Sequence, residues 1–338
     1  MEDFSQKKKR RLNEEEDDSH LTKRRWERLP SDILQKVLVE SEFNDTSGMT
    51  SLISQVHCGA VCTAWRLLLT DPQIWHTIDF SSMKSNFIDT RGHPYVYVTE
   101  KSDFILNCFL KSATSHSKGC TTRLILHPNL YLPNDLFTYT AERSPKLKRL
   151  VMPACNRKDK DGIRRAIACW KDLESLTIEY ISDWSFSYLI HEISNNCKNF
   201  RELKLMTASD SQIASIVKAS PKLKVLSLRC SNILQEHLIA ILDRLPDLEV
   251  LNISHCRVME ALPPLPGPDR PDGRRVLSEL DPLILDKASR LKKFMTCMPF
   301  GGSCIMCDRA RNDEGYMKWY KYEPELWKQD EVDSLALF

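Results

Sequence analysis

Three thiols near the end of the chain have the spacing most suggestive of chemistry: Cys297, Cys304 and Cys307, the last two as Cys-x-x-Cys. A structural zinc ion takes four Cys or His ligands. No His and no further Cys follows Cys307, and residues 256–296 offer only the distant Cys256, so no metal site is expected. A thioredoxin-like redox role requires the motif between a strand and a helix, a setting that the surrounding pattern lacks. The nine His residues are scattered, and a lone His is more often structural than catalytic. No G-x-x-x-x-G-K-S/T, G-x-S-x-G or H-E-x-x-H motif occurs. The chain is therefore expected to carry no catalytic residue and no cofactor, which leaves recognition as its chemistry.

Bulk properties agree with that reading. The 338 residues are 42% hydrophobic and 28% charged, ordinary for a globular protein with a sizeable core. The formal charge of +2 gives no global pull toward nucleic acid, so electrostatic specificity has to be local. Ten glycines against 17 prolines disfavour a Gly-rich nucleotide fold. The twelve cysteines are dispersed, the start of the chain is charged where a secretory signal would be apolar, and no uncharged apolar run approaches the roughly 20 residues that cross a bilayer. Reduced thiols, in cytosol or nucleus, are expected.

Residues 1–25 read as a solvated tail. Lys7–Arg11 form a basic run, Glu14–Asp18 an acidic one, and Lys23–Arg25 a second basic cluster. Such blocks bury little apolar surface. The two basic clusters resemble a bipartite nuclear-import signal, and a tail without an address is the alternative.

Structure is expected from Trp26. Leu29-Pro30-Ser31-Asp32-Ile33-Leu34 reads as a turn entering a helix, with Ser31 as N-cap and Asp32 at the positive end of the dipole. Ile33, Leu34, Val37 and Leu38 form one apolar face, and Leu52, Ile53 and Val56 a second. Val61-Cys62-Thr63-Ala64-Trp65-Arg66 leads into a third helix that Asp71-Pro72 stops, before Ile74-Trp75.

The strongest internal signal is self-similarity. Leu147-x-x-Leu150-x-Met152 is followed by Leu173-x-x-Leu176-x-Ile178, Phe200-x-x-Leu203-x-Leu205, Leu223-x-x-Leu226-x-Leu228 and Leu248-x-x-Leu251-x-Ile253. Their central leucines lie 26, 27, 23 and 25 residues apart, and Leu124 and Leu126 fit an earlier copy. A period in the middle twenties with L-x-x-L-x-L marks leucine-rich repeats. Each short strand turns its fourth and sixth positions to one face, and only stacked neighbours bury that face. Asn129, Cys155 and Cys256 occupy the Asn/Cys position of the repeat, while Ile181, Ala208 and Ser231 stand there in other copies. Helical spacing alternates with the strands: Phe186, Leu189, Ile190 and Ile193; Ile213, Ile216 and Val217; Leu238, Ile241, Leu242 and Leu245. The expected fold class is α/β, a helical bundle over residues 26–80 followed by a repeat solenoid over 81–258. A doubly wound enzyme would also alternate, but with longer apolar strands and Gly-rich turns.

Odd strand positions are expected to face a partner from the inner curve: Arg149, Ser175, Thr177, Glu179, Glu202, Lys204, Ser227, Arg229, Asn252 and Ser254. They are polar and of mixed sign, without a basic stripe, which favours a protein target over nucleic acid. Residues 259–338 read as a Pro-rich connector (Leu262 to Gly273), a final helix with Ile284, Ala288, Leu291 and Met295 on one side, and an aromatic, charged tail.

The order L-P-x-D-I-L, V-C-x-x-W-R, D-P-x-I-W resembles the F-box, and with the repeats the chain resembles the plant F-box/leucine-rich-repeat family, the closing aromatic tail included. The resemblance implies a non-catalytic substrate receptor of an SCF-type ubiquitin ligase, with a Skp-type adaptor, a cullin reached through it and a target protein as partners. It implies adaptor contact through Leu29, Pro30, Ile33 and Leu34, with Val37 on the same face, and mixed packing and docking roles for Val61, Cys62, Trp65 and Trp75. The stretch between Leu38 and Val61 is longer than in a typical F-box. A repeat scaffold, nuclear or not, that no longer assembles a ligase is the other reading.

Overall fold

A computed structural model describes residues 67, 70–80, 100–126, 132–152, 159–178, 181–205, 208–219, 222–262 and 273–297. A 3-10 turn, Pro72–His76, opens the described chain. Asp71 caps it by accepting the Gln73 N–H at 2.9 Å, and Pro72 supplies a preset φ where no donor is needed.

Among the described residues, eight parallel strands then build one sheet in the order β1-β2-β3-β4-β5-β6-β8-β11. They are β1 (Thr77–Asp79), β2 (Arg123–Ile125), β3 (Arg149–Met152), β4 (Ser175–Ile178), β5 (Glu202–Leu205), β6 (Val225–Ser227), β8 (Val250–Ile253) and β11 (Lys293–Thr296). Between them run α1 (Glu100–His116), α2 (Asn134–Arg143), α3 (Lys160–Cys169), α4 (Asp183–Asn196), α5 (Asp210–Ala219), α6 (Gln235–Arg244) and α7 (Pro282–Ala288), each packed on the next. Each strand returning parallel to its predecessor requires a crossover, and the helix supplies it. This is the solenoid that the repeat period predicts, and the fold is α/β.

The register explains the period. Leu124, Leu150, Leu176, Leu203 and Leu226 pair directly, strand to strand, and Leu251 continues the row. All six are 0–1% exposed, so one uninterrupted apolar rung crosses the sheet. Burying each contributes on the order of 1.5–3 kcal/mol, and no single repeat supplies its own cover. The helix faces read from spacing close the other side: Phe186, Leu189, Ile190, Ile193, Ile213, Ile216, Leu238, Ile241 and Leu242 are all buried.

Local caps set each crossover. Asp159 accepts the Gly162 N–H at 2.6 Å and also accepts Asn134 Nδ2 at 2.7 Å, tying the start of α3 to that of α2. A Cβ on Gly162 would stand 2.9 Å from Asp159 Oδ1 and 3.1 Å from Asn134 Oδ1, so both side chains would have to shift to admit one. Ser182 accepts the Ser185 N–H to open α4, and Asp281 accepts the Leu283 N–H ahead of Pro282 to open α7. Repeat-turn side chains tie neighbours as well. Ser231 Oγ accepts the Ala208 N–H at 2.7 Å, and Cys256 Sγ donates to the Leu228 carbonyl at 2.9 Å. Asn129 and Cys155 lie outside the described residues.

Two features depart from the sequence reading. First, the sheet continues beyond residue 258, because β11 pairs parallel with β8, Phe294 opposite Leu251. The final helix is accordingly short: α7 ends at Ala288, and Met295 lies in a strand. Leu291-x-x-Phe294-x-Thr296 is a degenerate repeat, and stacking on an exposed strand edge overrode its helical spacing. Second, β7 (Asn232–Leu234), β9 (Arg257–Ala261) and β10 (Arg274–Val276) form a separate small sheet, β7 parallel to β9 and β10 antiparallel to it. Its first two strands leave the main sheet through turns at Cys230 and His255, residues at the same place in successive repeats. Both have positive φ, 58° and 60°.

Candidate protein-interaction site

The odd strand positions share one face, as alternation requires, and stand in register. Arg149, Ser175 and Glu202 make one row, and Thr177, Lys204, Ser227 and Asn252 the next. Arg229 and Ser254 follow their strands, and Glu179 lies outside the described residues.

The row is not solvent-facing in this structure. None of Arg149, Ser175, Thr177, Glu202, Lys204, Ser227, Arg229 and Asn252 is more than 8% exposed, and Lys204 is 0% exposed; Ser254 is half-buried. Ile125, Val151, Val225 and Val250 on the same face are buried too. The expectation of an open polar surface is therefore corrected. Alternation tells which face a side chain occupies and says nothing of what lies beyond that face. The long side chains also meet one another across the sheet. Glu202 sits at the centre of such a group: Ser175 Oγ donates to it at 2.9 Å, Lys204 Nζ lies at 3.7 Å and an Arg149 guanidinium nitrogen at 4.0 Å. Buried charges persist only when paired in this way. Arg149, Glu202, Lys204 and Arg229 each make a further contact besides these. In contrast, Thr177 Oγ1 and Ser227 Oγ, which flank Lys204, are buried without a hydrogen-bond partner among the described residues. An unmade bond of that kind costs about 1–3 kcal/mol.

The charged surface that the structure does expose was missed by the sequence reading. It lies immediately before the strands. Lys148 pairs with Glu174 at 3.1 Å, Glu174 with Arg201 at 2.6 Å, Lys224 with Glu249 at 2.9 Å, and Lys292 also meets Glu249. Beneath the side chains, the Lys148 N–H donates to the Thr122 carbonyl, Glu174 to Lys148, Arg201 to Glu174, Lys224 to Arg201 and Glu249 to Lys224. Each charge pair is worth about 0–1 kcal/mol at such exposure, so the edge contributes charge pattern more than stability. The two lysine hydrogen bonds hold the Glu249 carboxyl below its ordinary pKa. Charges of both signs were the available signal, at the residue directly after the first apolar position of each L-x-x-L-x-L copy.

Of the residues assigned to adaptor contact, Leu29, Pro30, Ile33, Leu34, Val37, Val61, Cys62 and Trp65 lie outside the described residues. Trp75 is described and packs inward. It is 6% exposed, its ring centroid is 5.5 Å from that of His116, and its carbonyl accepts Thr121 Oγ1 at 3.0 Å. Trp75 thus fills the packing role in the core cluster.

Among the described residues no three His, Cys, Asp or Glu side chains gather in a metal-binding group. The buried thiols are structural. Burial pushes the Cys197 pKa up to about 12, and its Sγ donates to the Trp170 carbonyl at 3.2 Å. Burial raises Cys256 as well. No described helix is long and apolar enough to cross a membrane.

A leucine-rich-repeat solenoid preceded by the F-box motif order defines a class of protein-recognition molecules. Comparison with known proteins agrees: the F-box-like family model matches residues 26–81. An F-box/LRR-repeat protein of Arabidopsis thaliana is 47% identical over 93% of this chain and 97% of its own length. A putative F-box protein of the same plant is 24% identical over 92% of this chain and 96% of its own. A putative Arabidopsis F-box/LRR-repeat protein 23 is 26% identical over 69% of this chain and 48% of its own. The chain belongs to the plant F-box/LRR-repeat family.

Proposed function

We propose that this chain is the substrate receptor of an SCF-type ubiquitin ligase. Its F-box docks a Skp-type adaptor, the adaptor joins it to a cullin, and the repeats hold the target protein. The observation that carries this reading is the F-box-like match over residues 26–81, directly ahead of a repeat array. An apolar ridge on a short helix is the form that groove docking takes, and Leu29, Pro30, Ile33, Leu34 and Val37 supply one. Val61, Cys62 and Trp65 support or extend it.

The reading needs no catalytic residue in this chain, since ubiquitin transfer occurs on partner subunits. The target contacts a protein-like face of mixed polarity, and capture on the inner row requires that row to be uncovered first, because its side chains are buried here. On the charged edge from Lys148 to Glu249, Lys148 and Lys224 are exposed and Glu174, Arg201 and Glu249 are half-buried, so it is accessible without any rearrangement. The basic clusters at Lys7–Arg11 and Lys23–Arg25 resemble a bipartite import signal and support a nuclear or cytoplasmic location.

Co-precipitation with a Skp-type adaptor tests the docking step. Wild-type chain is expected to capture the adaptor, and the Leu29→Ala/Pro30→Ala double variant to lose capture at unchanged circular dichroism. Equal capture by that variant would refute the docking face. The scaffold reading predicts no capture by either.

A further inference from the structure

We propose that the edge of the sheet where helices end and strands begin is a docking surface for an acidic protein segment. The inference deepens the target-holding role and rests on that reading for its purpose, while the binding itself needs no adaptor.

One turn, repeated, builds this edge. The Leu147 N–H donates to the Ser144 carbonyl, Leu173 to Trp170, Phe200 to Cys197, Leu248 to Leu245 and Leu291 to Ala288. The apolar residue of each turn is at most 9% exposed, and its burial turns the residues on either side of it outward. Those flanking positions are both basic before β3 (Lys146, Lys148) and before β6 (Lys222, Lys224), and both acidic before β4 (Asp172, Glu174). Asp247 and Glu249 repeat the acidic pair before β8. Across residues 117–122, 144–148, 170–174, 197–201, 222–224, 245–249 and 289–292 there are ten Lys or Arg against four Asp or Glu. The edge therefore carries an excess of positive charge in a chain whose formal charge is only +2.

The position after each apolar residue is largely neutralised within the array. Glu174 lies between Lys148 and Arg201, and Glu249 between Lys224 and Lys292. The position before it is not. Lys146 and Lys222 are exposed, as is Lys171 beside Asp172, and none of the three forms an ion pair among the described residues. Exposed cations held in a fixed array attract an anionic partner and set its register.

The pattern selects a peptide over a nucleic acid. Asp172 and Asp247 interrupt the lysines, so an unbroken line of phosphates would meet repulsion there, whereas a peptide can leave those places uncharged. The aromatic residues of the turns, Trp170 and Phe200, are buried and offer no base a stacking surface. Lys146 precedes β3 and Lys222 precedes β6, three strand steps apart in the sheet. At about 4.8 Å per step the two stand about 14 Å apart, the length of about four residues of extended chain. The partner is thus an extended segment with carboxylates recurring at about that interval.

Fluorescence anisotropy of the full-length chain, without adaptor or cullin, tests the proposal. The probe is a labelled peptide with Glu-Glu pairs recurring every four residues between Ser and Gly. Saturable binding is expected, and raising the salt from about 0.05 M to about 0.5 M should weaken it at least tenfold. Lys146→Glu/Lys222→Glu, at two exposed sites, should also weaken it at least tenfold at unchanged circular dichroism. Lys160→Glu/Arg165→Glu makes the same charge change at the start and middle of α3, away from the edge, and should leave binding nearly unchanged. No saturable binding by the wild-type chain, equal loss in both double variants, or equal or tighter binding of duplex DNA of matching length would each overturn the proposal. Failed capture of a Skp-type adaptor alongside intact peptide binding would instead remove the ligase reading and leave the docking edge standing.

Discussion

Arg290 offers the sharpest test of how the array is closed. Its guanidinium reaches from the turn after α7 to four carbonyls: Leu242 at 2.7 Å, Leu245 at 2.9 Å, and Pro246 and Leu248 each at 3.2 Å. The last carbonyls of a helix have no intrahelical donor, and α6 ends at Arg244. One side chain therefore caps α6 and fastens the turn between α6 and β8 to the final repeat. Each bond contributes about 0.5–1.5 kcal/mol net, toward the lower end because Arg290 is exposed and water replaces part of what is lost. The cation adds about 0.5 kcal/mol at the negative end of the helix dipole. Arg290→Ala is thus expected to destabilise by about 2 kcal/mol, a fall in Tm of about 4–8 °C for a domain of this size. Arg290→Lys is expected to recover less than half, since an ammonium lacks the planar fork that serves two directions at once. Urea denaturation gives the energy, and hydrogen exchange locates it. Protection should fall in α6, β8 and β11 and stay near wild type in β3 to β5, because a solenoid transmits stability through nearest neighbours. A loss below about 0.5 kcal/mol, or an equal loss of protection in β3, would refute the reasoning.

Other expectations follow from the same geometry. Leu203→Ala, in the middle of the apolar rung, should cost about 3 kcal/mol by urea denaturation, whereas Leu285→Ala, exposed on α7, should stay within about 0.5 kcal/mol. Alkylation with iodoacetamide should modify the exposed Cys108 at pH 8 and spare Cys197, whose pKa of about 12 leaves almost no thiolate; rapid labelling of Cys197 would contradict its burial. The Glu249 carboxyl is held below its ordinary pKa in the folded state, so its contribution is present at neutral pH and lost as pH falls through the folded value. Glu249→Gln should therefore flatten the acid limb of the stability profile in low salt, and an unchanged limb would remove Lys224 and Lys292 as the cause.

The rung of central leucines and the helix faces were legible because burial repeats at the period of each element. Leu150, Leu176, Leu203, Leu226 and Leu251 could be paired before any strand was seen. The rest depended on contacts between distant segments. Lys204 has the alternation of a surface residue, yet it is fully buried, because pattern assigns a face and not its cover. Met295 continued a helical spacing from Ile284 but sits in a strand, since the open edge of β8 offered backbone bonds that an isolated helical turn could not match. Trp75 satisfied a motif position and is nevertheless core. His255 and Cys297, and Arg290 with its carbonyls, lie more than 40 residues apart and meet only through β8–β11 stacking.

The most direct measurement is reconstitution of the full-length chain with purified Skp-type adaptor and cullin, followed by size-exclusion chromatography with light scattering. The account predicts a stoichiometric ternary complex that forms only when the adaptor is present and fails with the Leu29→Ala/Pro30→Ala variant. A folded, monodisperse chain that elutes apart from the adaptor at micromolar concentrations would contradict it.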